Sequence, residues 1–357
     1  MSWYVPKSVH RSLLALVLVA SGFTNLASAQ RYVQTNLVSD VPGMAATLDP
    51  HLVNSWGIAF SPKSPVWIAD NGTGLSTLYT GTGSIVPLVV TIPPPHGVMD
   101  HSAPTGIVFN GTGTFTVSDD GRSGSAPFIF DTEDGTISGW SPAVTTQHSI
   151  RVIDNSGIDA IYKGLAIGTT EKGSFIYATN FHSGWVEIYD SNFQWVKNFT
   201  DIEVPDGYAP FGIQNINGKL YVTFAKQDAD KEDDVAGPGF GFVTVFDLNG
   251  NKIRRLISMG ALNAPWGLAL APSNFGRFSG ALLVGNFGNG WINAYNISTG
   301  ALLGHMLRPN GSALAIDGLW GLAFGTGGPS GPTNTLLFTA GPDHESHGLF
   351  GSLTALP

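Results

Sequence analysis

Glycine-containing apolar runs recur along the whole chain, and each is followed by further short runs that alternate apolar and polar residues as β-strands do. The six copies share a glycine placed before a short apolar stretch: Gly57, Gly106, Gly164, Gly212, Gly267 and Gly321. Successive glycines are 48 to 58 residues apart. A strand-rich unit that repeats with this period is typical of a β-propeller.

Most repeats supply four strands. In the third repeat the glycine run is followed by strand-like segments at 175–178, 185–189 and 194–196. Turns rich in Asn, Asp and Gly separate the segments, as hairpins require, and the chain shows no convincing amphipathic helix. Six units of this kind predict an all-β fold, a six-bladed β-propeller with four-stranded blades.

The last repeat predicts how the ring closes. It provides strands at 319–324, 335–340 and 348–356 but no fourth strand. Residues 32–38 form a strand pattern with nothing nearby to pair with. We therefore expect this N-terminal strand to complete the last blade, which removes an open sheet edge. The glycines fit the same arrangement, because a missing Cβ lets neighbouring backbones approach where the innermost strands converge on the axis.

The N-terminus reads as a secretory signal peptide, residues 1–29. Lys7 and Arg11 form the positive segment, residues 13–23 form a short apolar core, and Ala27-Ser28-Ala29 fits a small-residue cleavage site. Cleavage after Ala29 predicts a secreted or periplasmic protein with one propeller domain at 30–357. The alternative is an N-terminal membrane anchor, but the apolar run is short compared with the roughly 20 residues that span a bilayer.

The composition narrows the class of partner. A net charge of −9 argues against nucleic acid or an anionic membrane surface as the partner. The chain has no cysteine, so its core and not disulfide bonds must hold the fold. No segment after the leader is apolar enough for a membrane span, and we expect a monomer.

Polar residues concentrate in two sets of loops, those that precede the first strand of a blade and those that join its second and third strands. In a four-stranded blade both sets lie on one face and surround one mouth of the central channel, where concave ligand sites form. The predicted ligand-binding residues in these loops are His51, Asn54, Asp70, His96, Asp100, His101, Asp119, Asn180, His182, Lys226, Asn286, Asp343 and His344. The same loops also carry Asn71, Asp159 and Lys163.

Two interpretations of these residues compete. Asp and Asn at strand ends commonly form turns through side-chain to backbone hydrogen bonds, which would account for many of them. Imidazole side chains suit divalent metals and proton transfer, so the histidines are the stronger candidates for chemistry.

One acidic loop has the composition of a metal site. Asp228, Asp230, Asp233 and Asp234 alternate at the spacing that begins a calcium-binding loop, and carboxylate oxygens suit Ca²⁺. The loop lacks the glycine and the terminal glutamate of an EF-hand, so a solvated acidic loop is the alternative. Ca²⁺ or another divalent cation is therefore the candidate cofactor, and no motif indicates a nucleotide or redox cofactor.

Two short motifs do not define a hydrolytic site. Residues 343–347 read Asp-His-Glu-Ser-His, which is not His-Glu-x-x-His, and no helix is predicted there. Residues 100–102 read Asp-His-Ser, but neighbours in sequence cannot form a catalytic triad, and no Gly-x-Ser-x-Gly elbow occurs.

Several longer segments carry a family resemblance. Residues 225–239, which contain Lys-Gln-Asp-Ala-Asp, resemble a signature of an uncharacterised family of secreted propellers, as do residues 280–288 and 348–351. Some members of that family carry a PEP-CTERM sorting tail. The resemblance covers essentially the whole chain after the leader, and it implies a six-bladed propeller similar to NHL-repeat and gluconolactonase-like proteins. It implies no activity, so no catalytic residue is carried over.

The sequence thus leaves two ligand-directed functions open, beside a structural matrix protein that has no small-molecule site. The first is a secreted propeller that binds an extracellular glycan, protein or small molecule at one channel mouth, with a possible divalent cation. The second is a metal-dependent enzyme of the lactonase or lyase kind that uses the same mouth, where the metal would polarise a carbonyl oxygen or activate water. An enzyme needs His and carboxylate side chains that converge on a common point.

Overall fold

The structure, a computed structural model, describes residues 1–4 and 31–356. The predicted signal peptide, apart from its first four residues, therefore lies outside the described part of the chain. The first strands in chain order are β1 (Tyr32–Ser39), β2 (Thr47–Leu48), β3 (Ser55–Ala59), β4 (Val66–Asp70), β5 (Leu75–Tyr79), β6 (Ile85–Thr91), β7 (Pro104–Phe109), β8 (Thr116–Asp119), β9 (Arg122–Ser125), β10 (Phe128–Thr132), β11 (Thr136–Trp140) and β12 (Ile150–Asp154).

The second half of the chain continues in the same way. Its strands are β13 (Tyr162–Thr170), β14 (Gly173–Asn180), β15 (Trp185–Asp190), β16 (Trp195–Phe199), β17 (Tyr208–Ile216), β18 (Lys219–Lys226), β19 (Phe242–Asp247), β20 (Lys252–Ser258), β21 (Pro265–Leu270), β22 (Leu282–Asn286), β23 (Ile292–Tyr295), β24 (Leu302–His305), β25 (Leu319–Phe324), β26 (Leu336–Ala340) and β27 (Leu349–Ala355). Two short 3₁₀ turns, Ser156–Ile158 and Gly276–Phe278, are the helical elements of residues 31–356.

These strands form six four-stranded antiparallel blades, which confirms the predicted six-bladed β-propeller. Blades 1, 3, 4 and 5 are β3–β6, β13–β16, β17–β20 and β21–β24. Blade 2 consists of β7, β10, β11 and β12, and the hairpin β8–β9 is inserted between its first two strands. Blade 6 consists of β25, β26, β27 and β1, with β2 added in parallel to β1.

The predicted closure by the N-terminal strand is confirmed. Strand β1 pairs antiparallel with β27, from Tyr32 opposite Ala355 to Ser39 opposite Leu349, with one bulge near Asn36. The first and last described strands therefore share one sheet, so blade 6 is built from both ends of the chain. The ring is therefore closed by strand pairing within blade 6, and blade 6 packs against blade 1.

The repeated glycines lie at the narrowest part of the ring. In every blade the register between the first two strands shifts at this glycine, a β-bulge that bends the inner strand. A Cβ added at Gly212 would overlap the backbone carbonyl of Trp266 in the next blade, and one added at Gly321 would lie 2.7 Å from the carbonyl oxygen of Trp56. The six glycines thus allow adjacent inner strands to touch, as the sequence predicts.

The apolar core follows from the alternation within each strand. Six buried clusters lie between successive blades, and a seventh lies on the axis. In the axial cluster the ring of Trp320 stacks on Trp56 with centroids 3.6 Å apart and on Phe287 at 4.1 Å. Phe211 and Trp266 contact the same Trp320 ring edge-on. These aromatic rings close the central channel just below one of its two mouths.

Candidate functional site

The mouth above the aromatic layer is formed by the loops that precede each inner strand and by the loops between the second and third strands. Lys163, the second residue of β13, lies at its base and is only 2% exposed. Its backbone carbonyl accepts a 2.7 Å hydrogen bond from the indole Nε1 of Trp266. Its ammonium lies 5.3 Å from the ring centroid of Trp56, a favourable cation–π position. The aromatic floor therefore fixes this lysine in place.

Two carboxylates from neighbouring blades neutralise Lys163. Its Nζ donates to Oε1 of Glu133 in blade 2 and, at 3.0 Å, to Oδ1 of Asp233 in blade 4. Burial lowers the pKa of Lys163, but these two carboxylates raise it more, so that the pKa lies above its usual value. The lysine is therefore charged at neutral pH and links three successive blades.

A chain of polar side chains runs from this lysine across the mouth to blade 6. Oε2 of Glu133 accepts from Nδ2 of Asn71 at 2.7 Å, and Oδ1 of Asn71 accepts from Nδ2 of Asn54 at 3.1 Å. Nδ2 of Asn54 also donates to Oε2 of Glu345 at 2.7 Å, and its Oδ1 accepts from the indole of Trp320 at 3.2 Å. We call Lys163, Glu133, Asp233, Asp234, Glu345, Asn54 and Asn71 the mouth cluster.

Asp234 is the member of the mouth cluster whose protonation is most perturbed. Its Oδ2 is buried and has no hydrogen-bond partner within residues 31–356. Burial is the main cause that raises the pKa of Asp234 to about 7, Glu345 and Asp233 raise it further, and the charge of Lys163 opposes the rise. Burial also raises the pKa of Glu345. The mouth cluster thus contains a carboxyl group that titrates near neutral pH.

A pocket of about 480 Å³ opens beside Lys163, between blades 2, 3 and 4. Its side chains include five carboxylates, one ammonium and one imidazole: Glu133, Asp134, Asp159, Glu232, Asp233, Lys163 and His182. Asp134 is partly buried and accepts a 2.7 Å hydrogen bond from the backbone N–H of Ala103. The five carboxylates outnumber the one ammonium and the one imidazole, so the pocket favours ligands that bring hydrogen-bond donors or positive charge.

The opposite end of the axis differs in chemistry. A cavity of about 360 Å³ lies there, lined mainly by apolar residues that include Phe60, Phe109 and Ile167. Gln214 and Asn215 are its polar side chains. In the described part of the chain, this end therefore lacks the carboxylates and the ammonium that line the pocket beside Lys163.

The predicted histidines do not converge on one point. His182 lines the pocket, whereas His51 binds Asp49 through Nδ1 at 2.9 Å and His101 binds its neighbour Asp100 at 2.8 Å. His96 lies 2.6 Å from a guanidinium nitrogen of Arg151. His344 is exposed at the tip of the last mouth loop. Among the predicted histidines, His182 is the one that lines the pocket beside Lys163.

Several predicted polar residues serve the loops or blade interfaces instead. Asn180 caps its own turn through Ser183 and donates to Glu187, and Asn286 donates to the carbonyl of Ala261. The ammonium of Lys226 lies 4.4 Å from the ring of Phe240. These contacts have the character of turn formation and packing, which the sequence left open as the competing interpretation.

The remaining predicted residues are divided between solvent and core. Asp100 and Asp343 are exposed, and the backbone N–H of Asp343 donates to Asp317 at 3.0 Å. Asp70, by contrast, is completely buried at the end of β4 and does not line the pocket. Of the three asparagines in the predicted ligand-binding set, Asn54, Asn180 and Asn286, only Asn54 belongs to the mouth cluster.

The prediction for Asp119 is corrected by the topology of blade 2. Residues 116–119 resemble a second blade strand, but they form the first half of the inserted hairpin β8–β9. Asp119 therefore ends a strand on the face opposite the mouth, where its Oδ2 lies 3.8 Å from Nε2 of His148. The true loop between the second and third strands of blade 2 joins β10 to β11, and it carries Glu133 and Asp134.

The acidic loop of blade 4 is held by contacts within the protein. Oδ1 of Asp228 accepts the backbone N–H of Glu232 at 2.9 Å, and Asp233 binds Lys163. Asp230 is exposed. Among residues 1–4 and 31–356, no three His, Asp or Glu side chains are grouped so that they could hold a metal ion. The ammonium of Lys163 binds Asp233 and lies near Asp234, so it already supplies a positive charge to these two carboxylates. Ca²⁺ binding by this loop stays a prediction.

Sequence reasoning missed two residues of the mouth cluster. Glu133 was hidden by the hairpin insertion, although the turn Thr132 to Thr136 has the form of a strand connection. Glu345 lies in the Asp-His-Glu-Ser-His segment, of which Asp343 and His344, but not Glu345, were predicted to bind a ligand. The backbone of Glu345 has a positive φ of 66°, and its carboxylate accepts a hydrogen bond from Nδ2 of Asn54.

Comparisons with other proteins identify relatives of the whole propeller. The chain is 35% identical over 327 residues to uncharacterized protein R648 of Acanthamoeba polyphaga mimivirus, which covers 89% of this chain and 78% of the viral protein. It is 34% identical over 330 residues to uncharacterized protein L690 of the same virus, with 89% and 84% covered. The chain belongs to the family of these viral proteins. The names of these relatives state no activity, so membership of this family assigns none. No protein-family model matches the chain.

Solved structures show the same fold at low sequence identity. A streptogramin B lyase has a TM-score of 0.52 and 12% identity, with 92% of this chain and 98% of the lyase covered. A proposed gluconolactonase has a TM-score of 0.53 and 14% identity, with 92% and 93% covered. The likeness confirms the predicted resemblance to gluconolactonase-like propellers as a statement about fold, because fold alone does not assign function. Secretion and a relation to proteins with PEP-CTERM tails stay predictions.

The described residues contain no helix with the length and apolar character to cross a membrane.

Proposed function

We propose that this protein is a secreted or periplasmic saccharide-binding propeller whose ligand occupies the pocket between blades 2, 3 and 4. The observation that carries the proposal is the pocket of about 480 Å³ with five carboxylates around a fixed lysine. Ligand pockets in proteins usually have volumes of roughly 300–1,000 Å³, so a monosaccharide unit fits. The leader pattern at residues 1–29 supports an extracytoplasmic location.

The chemistry of the pocket matches sugar hydroxyl groups. Ionised Asp and Glu side chains only accept hydrogen bonds, and hydrogen bonds to charged groups are stronger than neutral ones. Glu232 is exposed and lines the pocket, so its carboxylate is available to a ligand. Trp185 is 37% exposed and begins the strand that follows the His182 loop, where its ring offers a stacking surface.

The net negative charge predicts an order of affinity among sugars of similar size. Glucosamine should bind more tightly than glucose, and glucose more tightly than glucuronate, because the carboxylates attract an ammonium and repel a carboxylate ligand. Isothermal titration calorimetry at low salt measures the three affinities. Glucuronate binding as tightly as glucosamine would contradict the proposal.

A matched pair of variants localises the binding. Glu232→Gln removes one pocket charge and should weaken glucosamine binding about tenfold, since a hydrogen bond to a charged group contributes about 1.5–3 kcal/mol. Glu171→Gln makes the same change in the exposed turn between β13 and β14, on the opposite face, and should leave the affinity unchanged. Equal effects of the two substitutions would contradict binding in this pocket.

A second candidate function is favoured by Asp234. A group with a pKa of about 7 is well matched to general acid–base catalysis at neutral pH, and Lys163 lies nearby to stabilise negative charge. Two proteins of the same fold are named as a lyase and a proposed gluconolactonase. The candidate is therefore an enzyme of the lactonase or lyase kind, with Asp234 as base. Because no group of three metal-binding side chains occurs in residues 31–356, no step is assigned to a metal.

Turnover assays separate the two functions. If the protein is such an enzyme, it should hydrolyse or eliminate a lactone from a test panel, and Asp234→Asn should lower the rate by a factor of about 100 or more. The variant should still bind glucosamine. A wild-type protein that binds glucosamine but turns over no lactone supports the binding function alone.

The pKa of Asp234 also predicts a pH dependence of stability. In the folded chain Asp234 keeps its proton up to about pH 7, whereas in the unfolded chain it ionises near pH 4. Unfolding between these pH values releases a proton, so this group makes the protein less stable as pH rises from about 4 to about 7. Asp131, with a pKa raised to about 7 mainly by burial, acts in the same direction.

Melting temperatures of wild type and Asp234→Asn across this pH range test the dependence. The asparagine variant should gain stability relative to wild type as pH rises and should hold that gain above pH 7. A constant difference between the two proteins at all pH values would show that Asp234 has an ordinary pKa.

A further inference from the structure

The seam between blades 6 and 1 contains a buried carboxylate with no partner. Asp70 ends β4 and is 0% exposed, and neither of its carboxylate oxygens accepts a hydrogen bond of standard geometry from a residue that the structure describes, although Thr77 lies close enough to lower its pKa. Burial of an ionised carboxylate without compensation costs several kcal/mol, and such groups are usually paired or coordinate a metal. Either a bound proton or a cation from solution must therefore compensate the buried carboxylate of Asp70.

A second carboxylate and further oxygen atoms surround Asp70. Asp49 is 5% exposed, and its oxygens accept from Tyr79, at 2.9 Å, and from the backbone and ring of His51. Burial raises the pKa of Asp70 well above its usual value, and the nearby charge of Asp49 raises it further. The side chain and the backbone N–H of Thr77 lie close enough to Asp70 to lower that pKa by hydrogen bonding, although the contact of the buried Oγ1 does not have standard hydrogen-bond geometry.

Asp201 is another buried carboxylate, and neighbouring cationic side chains compensate its charge. Asp201, also 0% exposed in its side chain, accepts from Nζ of Lys252 at 2.6 Å and from the guanidinium of Arg255 at 2.8 Å. Neither Asp49 nor Asp70 forms an ion pair with a lysine or an arginine in residues 31–356. The seam therefore holds two carboxylates without the internal cation that Asp201 has.

A cavity gives access to this seam. It has a volume of about 220 Å³ and is lined by Asp49, His51 and Thr77 on one side and by residues 85–89 of β6 on the other. A small ion could enter through it and reach Asp49 and Thr77, whereas Asp70 lies beside Thr77 and does not itself line the cavity. The cavity lies away from the pocket beside Lys163, with which it shares no residue.

We propose that a divalent cation binds at the seam between blades 6 and 1, with Asp70 as its main ligand and Asp49 and Thr77 as further oxygen donors. Two carboxylates balance the charge of one divalent ion. All three donors are hard oxygen ligands, and Ca²⁺ tolerates an irregular set of them completed by water. Ca²⁺ is therefore the expected ion, at a site separate from the acidic loop of blade 4.

The position of the ion predicts its effect. Asp70 belongs to the second strand of blade 1, whereas Asp49 lies in the segment that follows β2 on the outside of blade 6. A shared cation would link the two blades at the point where the N-terminal strand closes the ring. Removal of the ion should therefore weaken closure and lower the melting temperature.

Thermal unfolding with CaCl₂ or with EDTA tests the proposal. The wild-type protein should melt about 4 °C higher at a Ca²⁺ concentration near 100 times Kd than in EDTA. Asp70→Asn keeps the shape of the side chain but removes its charge, so this variant should lose the Ca²⁺ response. In EDTA it should melt above the wild type, because no buried charge is left unpaired.

Two comparisons make the result decisive. Asp230→Asn, in the exposed acidic loop, should keep the full Ca²⁺ response; loss of the response in this variant but not in Asp70→Asn would place the ion in the loop and overturn the proposal. Metal analysis of purified wild-type protein should find about one Ca²⁺ per chain, and Asp70→Asn should contain none. A wild-type melting temperature indifferent to Ca²⁺, Mg²⁺, Mn²⁺ and EDTA would also overturn it.

Discussion

Replacement of Gly212 by alanine is expected to lower the melting temperature by roughly 4 to 5 °C. The added Cβ would overlap the backbone carbonyl of Trp266 in the next blade. Overpacking commonly costs about 1–3 kcal/mol, and the upper end applies here because backbone cannot move aside as a flexible side chain can. At about 2.1 cal/mol/K of unfolding entropy per residue, each kcal/mol corresponds to about 1.5 °C in the melting temperature of a protein of this size.

A second glycine provides the control for this prediction. A Cβ added at Gly157, in a 3₁₀ turn, meets no atom within 4 Å, and its φ lies outside the left-handed region. Gly157→Ala should therefore change the free energy of unfolding by less than about 0.5 kcal/mol. Similar melting temperatures for the two variants would show that the inner strands do not depend on these close contacts.

Replacement of Lys163 by methionine is the second large expected effect. The change removes the cation between Glu133 and Asp233 and leaves their charges, with those of Asp234 and Glu345, close together in the mouth cluster. Removal of one partner from a fully buried ion pair destabilises proteins by about 3–5 kcal/mol, but the side chains of Glu133 and Asp233 are 25% and 77% exposed, so a smaller loss of about 1–3 kcal/mol is expected here. Urea unfolding should show a loss of this size, and glucosamine binding should be lost because the pocket base is rearranged.

A double substitution identifies the cause of the loss. Adding Glu133→Gln to Lys163→Met removes one of the stranded charges and should restore part of the lost stability. Lys226→Met provides the control, because the Lys226 ammonium packs on Phe240 and contacts no carboxylate closely enough to form an ion pair in residues 31–356. A double variant no more stable than Lys163→Met would contradict an electrostatic role for the lysine.

The fold was predictable because its determinants repeat or are local. A glycine is needed wherever two inner strands touch, so the six blades appear in the sequence as six copies of one pattern. The strand at 32–38 was predictable for a complementary reason, because the last repeat lacks a strand and the N-terminal strand lacks a partner. The hairpin β8–β9 was not predictable, since Thr116–Asp119 has the length and alternation of a blade strand.

The site was only partly predictable because its contacts are remote in sequence. Lys163 meets Glu133 and Asp233, which are 30 and 70 residues away in the chain. The loops that carry these residues could be identified, but the direction of each side chain depends on packing across three blades. The histidines were misleading for the opposite reason: His51 and His101 are satisfied by Asp49 and Asp100, one or two residues away.

Amide hydrogen exchange with and without saturating glucosamine tests the central claim most directly, because it reports where on the propeller a saccharide binds. If a saccharide occupies the pocket beside Lys163, exchange should slow in the loops that surround it, at residues 132–136, 155–163, 181–184 and 228–235. Protection confined to the apolar cavity at the other end of the axis, at residues 58–60, 107–109, 166–167 and 214–215, would contradict it.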